Sequence, residues 1–152
     1  MSKPYSRKAT VEDGKELART ICEADRLEVE GLGQSPDHIP LYILMSDVAT
    51  SFFDADGTLA GIAGIGPDGR PGVGVIWMLT TDALANHPHT FVRSAKKWIA
   101  EHSKPYTMLW NLADARNHVH RKLLKHLGFS AVRSINIGPQ FLPYMEIVKL
   151  CA

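Results

Sequence analysis

Apolar residues recur along this chain at helical and at strand spacings. Leu17, Ala18, Ile21 and Ala24 fall at helical intervals, as do Phe91, Val92, Ala95, Trp98 and Ile99, whose opposite face carries Arg93, Lys96 and Lys97. A shorter stripe joins Ile39, Tyr42, Ile43 and Ser46, and a late one joins Ala115, Val119, Leu123, Leu124 and Leu127. Boundary residues agree with these helices. Thr10 reads as an N-cap, because the Asp13 side chain can return to the cap amide. That helix runs toward Glu28 and ends near Gly31-Leu32-Gly33. Ser35-Pro36 opens the next, with Pro40 delaying its start. Pro88 opens a third, and Gly128 supplies the left-handed residue that stops the last.

Extended segments fill the intervals. Residues 6–9 open the chain as a strand. Residues 51–54 and 58–65 read as a hairpin about Ala55-Asp56-Gly57, where the glycine provides the positive φ of the turn. Residues 66–72 are a loop rich in glycine and proline. Strands then follow at 73–80, 106–111, 129–137 and 144–150. The order β-α-α-β-β-β-α-β-α-β-β predicts an α/β (α+β) fold. In it, a mixed, mainly antiparallel sheet of six to seven strands carries helices on both faces. Trp98 belongs to the core by its stripe. Trp77 and Trp110 are read as core too, with one of them available to line a slot between strands.

The chain of 152 residues is read as one domain, 1–152. Its 45% hydrophobic and 22% charged residues exclude a disordered or fibrous reading. Seventeen basic residues against sixteen acidic ones leave a formal charge of +1, so no domain-wide footprint for nucleic acid exists. Cys22 and Cys151 form no CxxC pair, and a reducing compartment is expected. Met1-Ser2-Lys3-Pro4-Tyr5 does not read as a secretory leader, and no stretch reaches the ~20 apolar residues of a membrane span. A soluble protein is expected.

Histidines do not suggest a metal. His87 and His89 flank a proline in a loop, and His118 and His120 stand two apart on a helix and so diverge. No further ligands follow at zinc-like spacing. Asp54-Ala55-Asp56-Gly57 lacks the later ligands of a calcium loop and reads as a turn. Arg116, Arg121, Lys122 and Lys125, with the helical histidines, read as the polar face of the last helix.

The order of elements resembles that of the GNAT superfamily of acyl-CoA-dependent N-acyltransferases. Arg7-Lys8-Ala9-Thr10-Val11-Glu12-Asp13 resembles its first strand and helix start. Asp54-Ala55-Asp56-Gly57 with Gly61 resembles its central hairpin, and the stretch from Asn117 to Gly128-Phe129 resembles its late Asn-helix-Gly-Phe motif. A narrower pattern resembles the T7-type phage internal virion protein family, a phage branch with a GNAT-like fold. Its residues are Trp77-Met78-Leu79-Thr80, Phe91, Lys96-Lys97, Leu109-Trp110-Asn111, Asn117, His120, Leu124-Lys125 and Gly128. The resemblance implies acetyl-CoA or CoA as cofactor, held at Leu79, Thr80, Thr81 and Asn117. It also implies other virion proteins or a host protein as partners, without membrane or nucleic acid. The location implied is the cytoplasm of an infected bacterium, or the packaged virion.

Acyl-CoA chemistry asks for amides at the diphosphate, a base for the amine and an acid for the thiolate. Between Thr80 and His89 the superfamily's glycine-rich turn has no glycine; Asp82 would repel phosphate, Pro88 has no N–H, and Asn86 is expected to cap the following helix. No acid lies on the strand 73–80, and Leu124 occupies the position where the superfamily often has a tyrosine. Glu23, Asp25, Glu28 and Glu30 crowd the end of the first helix, where acceptors lie in the superfamily. Glu28 and Glu30 are the catalytic candidates, against the reading of a solvated acidic face balanced by Arg26. The missing glycines, strand acid and tyrosine favour a non-catalytic virion or assembly component. Asn117, the acidic cluster and the element order carry the alternative, an acetyl-CoA-dependent N-acetyltransferase acting on a protein or small amine.

Overall fold

The computed structural model describes residues 3–151; Met1 and Ser2 of the N-terminal reading lie outside the described residues. Seven strands form one sheet: β1 (Tyr5–Lys8), β2 (Val48–Phe53), β3 (Leu59–Pro67), β4 (Val73–Thr80), β5 (Met108–Asp114), β6 (Ser130–Ile137) and β7 (Leu142–Leu150). Their order is β1-β2-β3-β4-β5-β7-β6. Every pairing is antiparallel except the central one between β4 and β5. The helices are α1 (Val11–Thr20), α2 (Glu23–Gly31), α3 (Ile39–Met45), α4 (Pro88–His102) and α5 (His118–His126). Among the described residues no helix is long and apolar enough to cross a membrane.

Alternation along the central strands sends side chains into two cores. Leu17, Val29, Ile39, Ile43, Ile62 and Leu79 pack on one face with α1, α2 and α3. Ala63, Ile65, Phe91, Trp98, Leu124 and Phe129 pack on the other with α4 and α5. The expected mixed, mainly antiparallel α/β sheet is therefore the observed one.

Three local expectations need correction. The first predicted helix is two helices, because the chain leaves helical geometry at Ile21 (ψ 138°) and Cys22 (ψ 153°). There Ile21 bridges Thr81, and the Cys22 N–H donates to the Thr80 carbonyl at 2.9 Å. The apolar stripe runs unbroken through this point, so periodicity alone cannot show it. Val119 is 76% exposed rather than part of the buried stripe, and Ala115 lies in the turn before α5, which begins at His118. Asn86 does not cap α4: His87 does, without a side-chain bond, while Asn86 Nδ2 donates to Asp54 Oδ2 at 3.2 Å. Gly128 has φ +95°, as its expected role at the end of α5 requires.

Candidate functional site

The parallel pairing of β4 with β5 lasts only from Val73↔Met108 to Val75↔Trp110. Beyond it the strands part. Asn111 Nδ2 donates to the Ile76 carbonyl at 2.5 Å, so a side chain takes over where the ladder stops. Carbonyl and amide groups of alternate residues share a strand edge. Ile76 and Thr80 turn theirs away from β3, and Met78 between them therefore opens its N–H and C=O into the gap. The gap is a cavity of about 320 Å³ passing through the sheet. On the α2–α3 side it meets Val29, Leu32, Tyr42, Met45 and Trp77; on the α4–α5 side it meets Ile99, Leu124, Leu127 and Phe129. Trp77 is the tryptophan that lines this slot. Trp110, read as core, is instead half-buried and donates from Nε1 to Asp68 Oδ2 at 2.7 Å.

Two carboxylates of α2 are buried beside the slot, and Glu28 lines it. Asp25 is 4% and Glu28 6% exposed, both on α2, where the sequence suggested a solvated acidic face. The reason is the break before α2, which re-aims the helix toward the ends of β4 and β5. Asp25 Oδ2 accepts from the Thr80 N–H (2.9 Å) and hydroxyl (2.8 Å), and Asp25 Oδ1 accepts from Asn117 Nδ2 (3.0 Å). Glu28 Oε2 accepts from the Asp114 N–H at 2.7 Å, and His120 Nδ1 lies 3.0 Å from Glu28 Oε1. The Tyr144 hydroxyl donates to the Glu28 carbonyl at 2.6 Å. Glu23 and Glu30 remain exposed and pair with Arg26. Of the two catalytic candidates, Glu28 lines the cavity and Glu30 is not among its lining residues.

His120 does not join the exposed basic face of α5. Its side chain, 13% exposed, packs against Glu28. Burial opposes its charge, but the charge and hydrogen bond of Glu28, assisted by Asp25, outweigh that and push its pKa up to about 9. His120 is therefore an imidazolium at neutral pH. Nδ1–H donates to Glu28, and Nε2–H is left for the cavity that His120 lines. Burial likewise raises Asp114, yet its bonds from Arg116 Nε, Nη2 and N–H hold it below the usual carboxylate range. Tyr144 is pushed up to about 12 by burial, then by the charges of Asp114 and Glu28.

Asp25, Glu28 and His120 bring ligand-capable atoms within 4.8 Å of one another. Sequence spacing missed this group because α2 and α5 are far apart in the chain. All three side chains already have protein partners, so the group reads as a hydrogen-bonded ion pair.

The residues suggested for cofactor contact divide. Leu79 lines the cavity. Both backbone groups of Thr80 are engaged by α2, through Asp25 and Cys22. The Thr81 hydroxyl donates to the Leu59 carbonyl at 2.7 Å and accepts from the Ala83 N–H at 3.2 Å. Asn117 caps α5, its Oδ1 accepting from the His120 N–H at 3.1 Å.

The same architecture occurs in solved acetyltransferases. A ribosomal-protein-alanine N-acetyltransferase from Brucella melitensis superposes with a TM-score of 0.73 at 14% identity, covering 97% of this chain and 99% of that one. A GCN5-related N-acetyltransferase from Kribbella flavida gives 0.69 at 19% identity, over 97% and 98% of the two chains. The chain has the GNAT acetyltransferase fold. YncA of Salmonella typhimurium, solved with its cofactor acetyl-CoA, shares the GNAT fold with a TM-score of 0.68 at 12% identity, over 97% and 93%. No protein-family model and no curated relative matches the chain. The narrower phage resemblance draws no support from these comparisons.

Proposed function

We propose that this protein transfers an acyl group from an acyl-CoA thioester to an amine. The observation that carries the reading is the slot between β4 and β5, open through the sheet and ending at the Glu28–His120 pair. Its fit to the cofactor can be judged from its own groups. The Met78 N–H and C=O face an apolar gap, which suits an extended arm carrying amides. The diphosphate end is less well provided. The Ala83 amide bonds the Thr81 hydroxyl, the Leu84 amide bonds the Thr81 carbonyl, and Pro88 has none. The first-turn amides of α4 remain for it, without intrahelical partners.

Bound there, the thioester would supply the activated acyl group. Glu28 faces the slot as the carboxylate that takes a proton from the acceptor: the ammonium first gives up one proton to solvent, and Glu28 accepts a second from the nitrogen as it bonds to the acyl carbon and the C–S bond breaks. His120 Nε2 presents a proton and a positive charge to the slot. Its pKa of about 9 lies close to that of a thiol, so it is matched to returning a proton to sulfur. The Glu28–His120 hydrogen bond then restores both groups. His120 thus fills the acid role for which Leu124 has no group.

The decisive assay is release of free thiol from acetyl-CoA in the presence of an amine. Glu28→Gln should lower kcat/KM by about 10²–10⁴ while leaving the fold intact. No thiol release by the natural protein across a broad amine panel, or an unaffected Glu28→Gln variant, would defeat the reading. A second reading rests on the turn Asp82–Asn86, where the Ala83 and Leu84 amides bond back to Thr81. It is a phage scaffold that keeps the fold and binds virion or host proteins. Presence of the protein in purified particles together with no thiol release would favour it.

A further inference from the structure

We infer that the outer faces of α4 and α5 bind duplex nucleic acid through its phosphates, without reading bases and independently of any acyl transfer. The formal charge of +1 conceals a division of charge along the chain. Up to Asp68 there are six basic residues against twelve acidic ones, and from Gly69 on there are eleven against four. The fold turns this into a division between surfaces, because α1 and α2 cover one face of the sheet and α4 and α5 the other. On α4 and the turn after it Arg93, Lys96, Lys97 and Lys104 are exposed, and on α5 so are Lys122 and Lys125. Glu101 is the one acid within those two helices.

The two faces also differ in how their charges are matched. On α1 and α2 the acids pair within their own helix, Glu12 with Lys15, Glu16 with Arg19, and Glu23 and Glu30 with Arg26. Among the described residues, none of the six exposed cations on the α4–α5 side forms an ion pair. Arg93 and Lys97 stand instead at i,i+4, and Lys122 and Lys125 at i,i+3, as like charges that weaken a helix until an anion lies across them. Three features point to the kind of anion. Arg93 to Lys104 covers about 16 Å along the axis, the length of about five base pairs, and lysines on flexible stems suit a row of phosphates. Val119 is the only large apolar residue exposed on these two helices, so a protein partner finds no apolar centre there. No Phe, Tyr or Trp is exposed on them, so unpaired bases find no ring to stack on and a duplex is favoured over a single strand.

Fluorescence anisotropy of the full chain with a labelled DNA duplex of about 20 base pairs, between about 50 and 200 mM salt, tests this. The logarithm of affinity should fall against that of salt with a slope of about −4, the share of about four or five phosphates, so that about 10²-fold is lost over the range. Lys96→Glu with Lys97→Glu, and Lys122→Glu with Lys125→Glu, should each weaken binding at least about tenfold and flatten the slope by about 2. Gln at the same positions should lose about half as much on the logarithmic scale, with circular dichroism checking that each variant keeps the fold. Lys15→Glu with Arg19→Glu on α1 changes the net charge equally and should leave affinity within about twofold. No binding at about 50 mM salt, an equal loss in the α1 variant, or a single strand bound as tightly as the duplex would overturn the inference. Polyglutamate bound as tightly would make the face a dock for acidic protein, and release of the duplex by saturating acetyl-CoA would assign the cations to the cofactor; either result also overturns it.

Discussion

Glu28 occupies a site where hydrogen bonds from the protein replace those of water. The Asp114 N–H and His120 supply its partners, and Tyr144 fixes its carbonyl. A buried carboxylate left bare would be costly, and the imidazolium that answers it is held charged by the same contact. That coupling makes a pH prediction. His120 carries a folded pKa of about 9 against an ordinary 6.5, so the folded state binds its proton more tightly than the unfolded chain. The resulting stability is fully present below pH 6.5 and is lost as pH rises through 9, amounting to about 3 kcal/mol. Urea denaturation between pH 6 and 10 should show this decline. His120→Gln, which keeps an N–H donor for Glu28, should flatten it. A flat profile for the natural protein would mean that His120 is not paired as described.

At the scale of elements, the break between α1 and α2 decides where the carboxylates go. A continuous helix would have carried Asp25 and Glu28 past the sheet. Instead, Cys22 and Asp25 grip both backbone groups of Thr80, and Asn117 ties the same carboxylate to the start of α5. Asp25 thereby joins α2, β4 and α5 through three accepted bonds. Asp25→Ala should cost about 2–4 kcal/mol in chemical denaturation, because the Thr80 and Asn117 donors lose a buried acceptor. A loss below about 1 kcal/mol would show that water or a neighbour replaces it. The capping box of Thr10 and Asp13 was legible in sequence, because both partners lie within one turn. The break was not. It depends on the Thr80 carbonyl, which belongs to a strand formed much later in the chain.

The same limit governs the whole molecule. Helix stripes such as Phe91, Ala95, Trp98 and Ile99 and the hairpin glycine Gly57 specify their elements locally, and the sheet with its helices on both faces followed from them. The slot is a matter of register. Nothing in the strand 73–80 shows that its pairing with β5 stops after Val75, nor that Asn111 turns inward to bond Ile76. Glu28 stood out in sequence as one acid among four, but its burial and its partner on α5 required the fold. His120 was hidden for the opposite reason: a cluster of basic residues around it reads as a surface.

The claim on which the functional reading stands is that the gap between β4 and β5 receives the acyl-bearing arm of the cofactor. A crystal structure of the protein grown with acetyl-CoA tests it most directly. The arm should lie between Met78 and Asn111, bonded to the Met78 backbone, with its thioester turned toward Glu28 and His120. An ordered cofactor bound elsewhere, or a closed gap at saturating acetyl-CoA, would contradict the account.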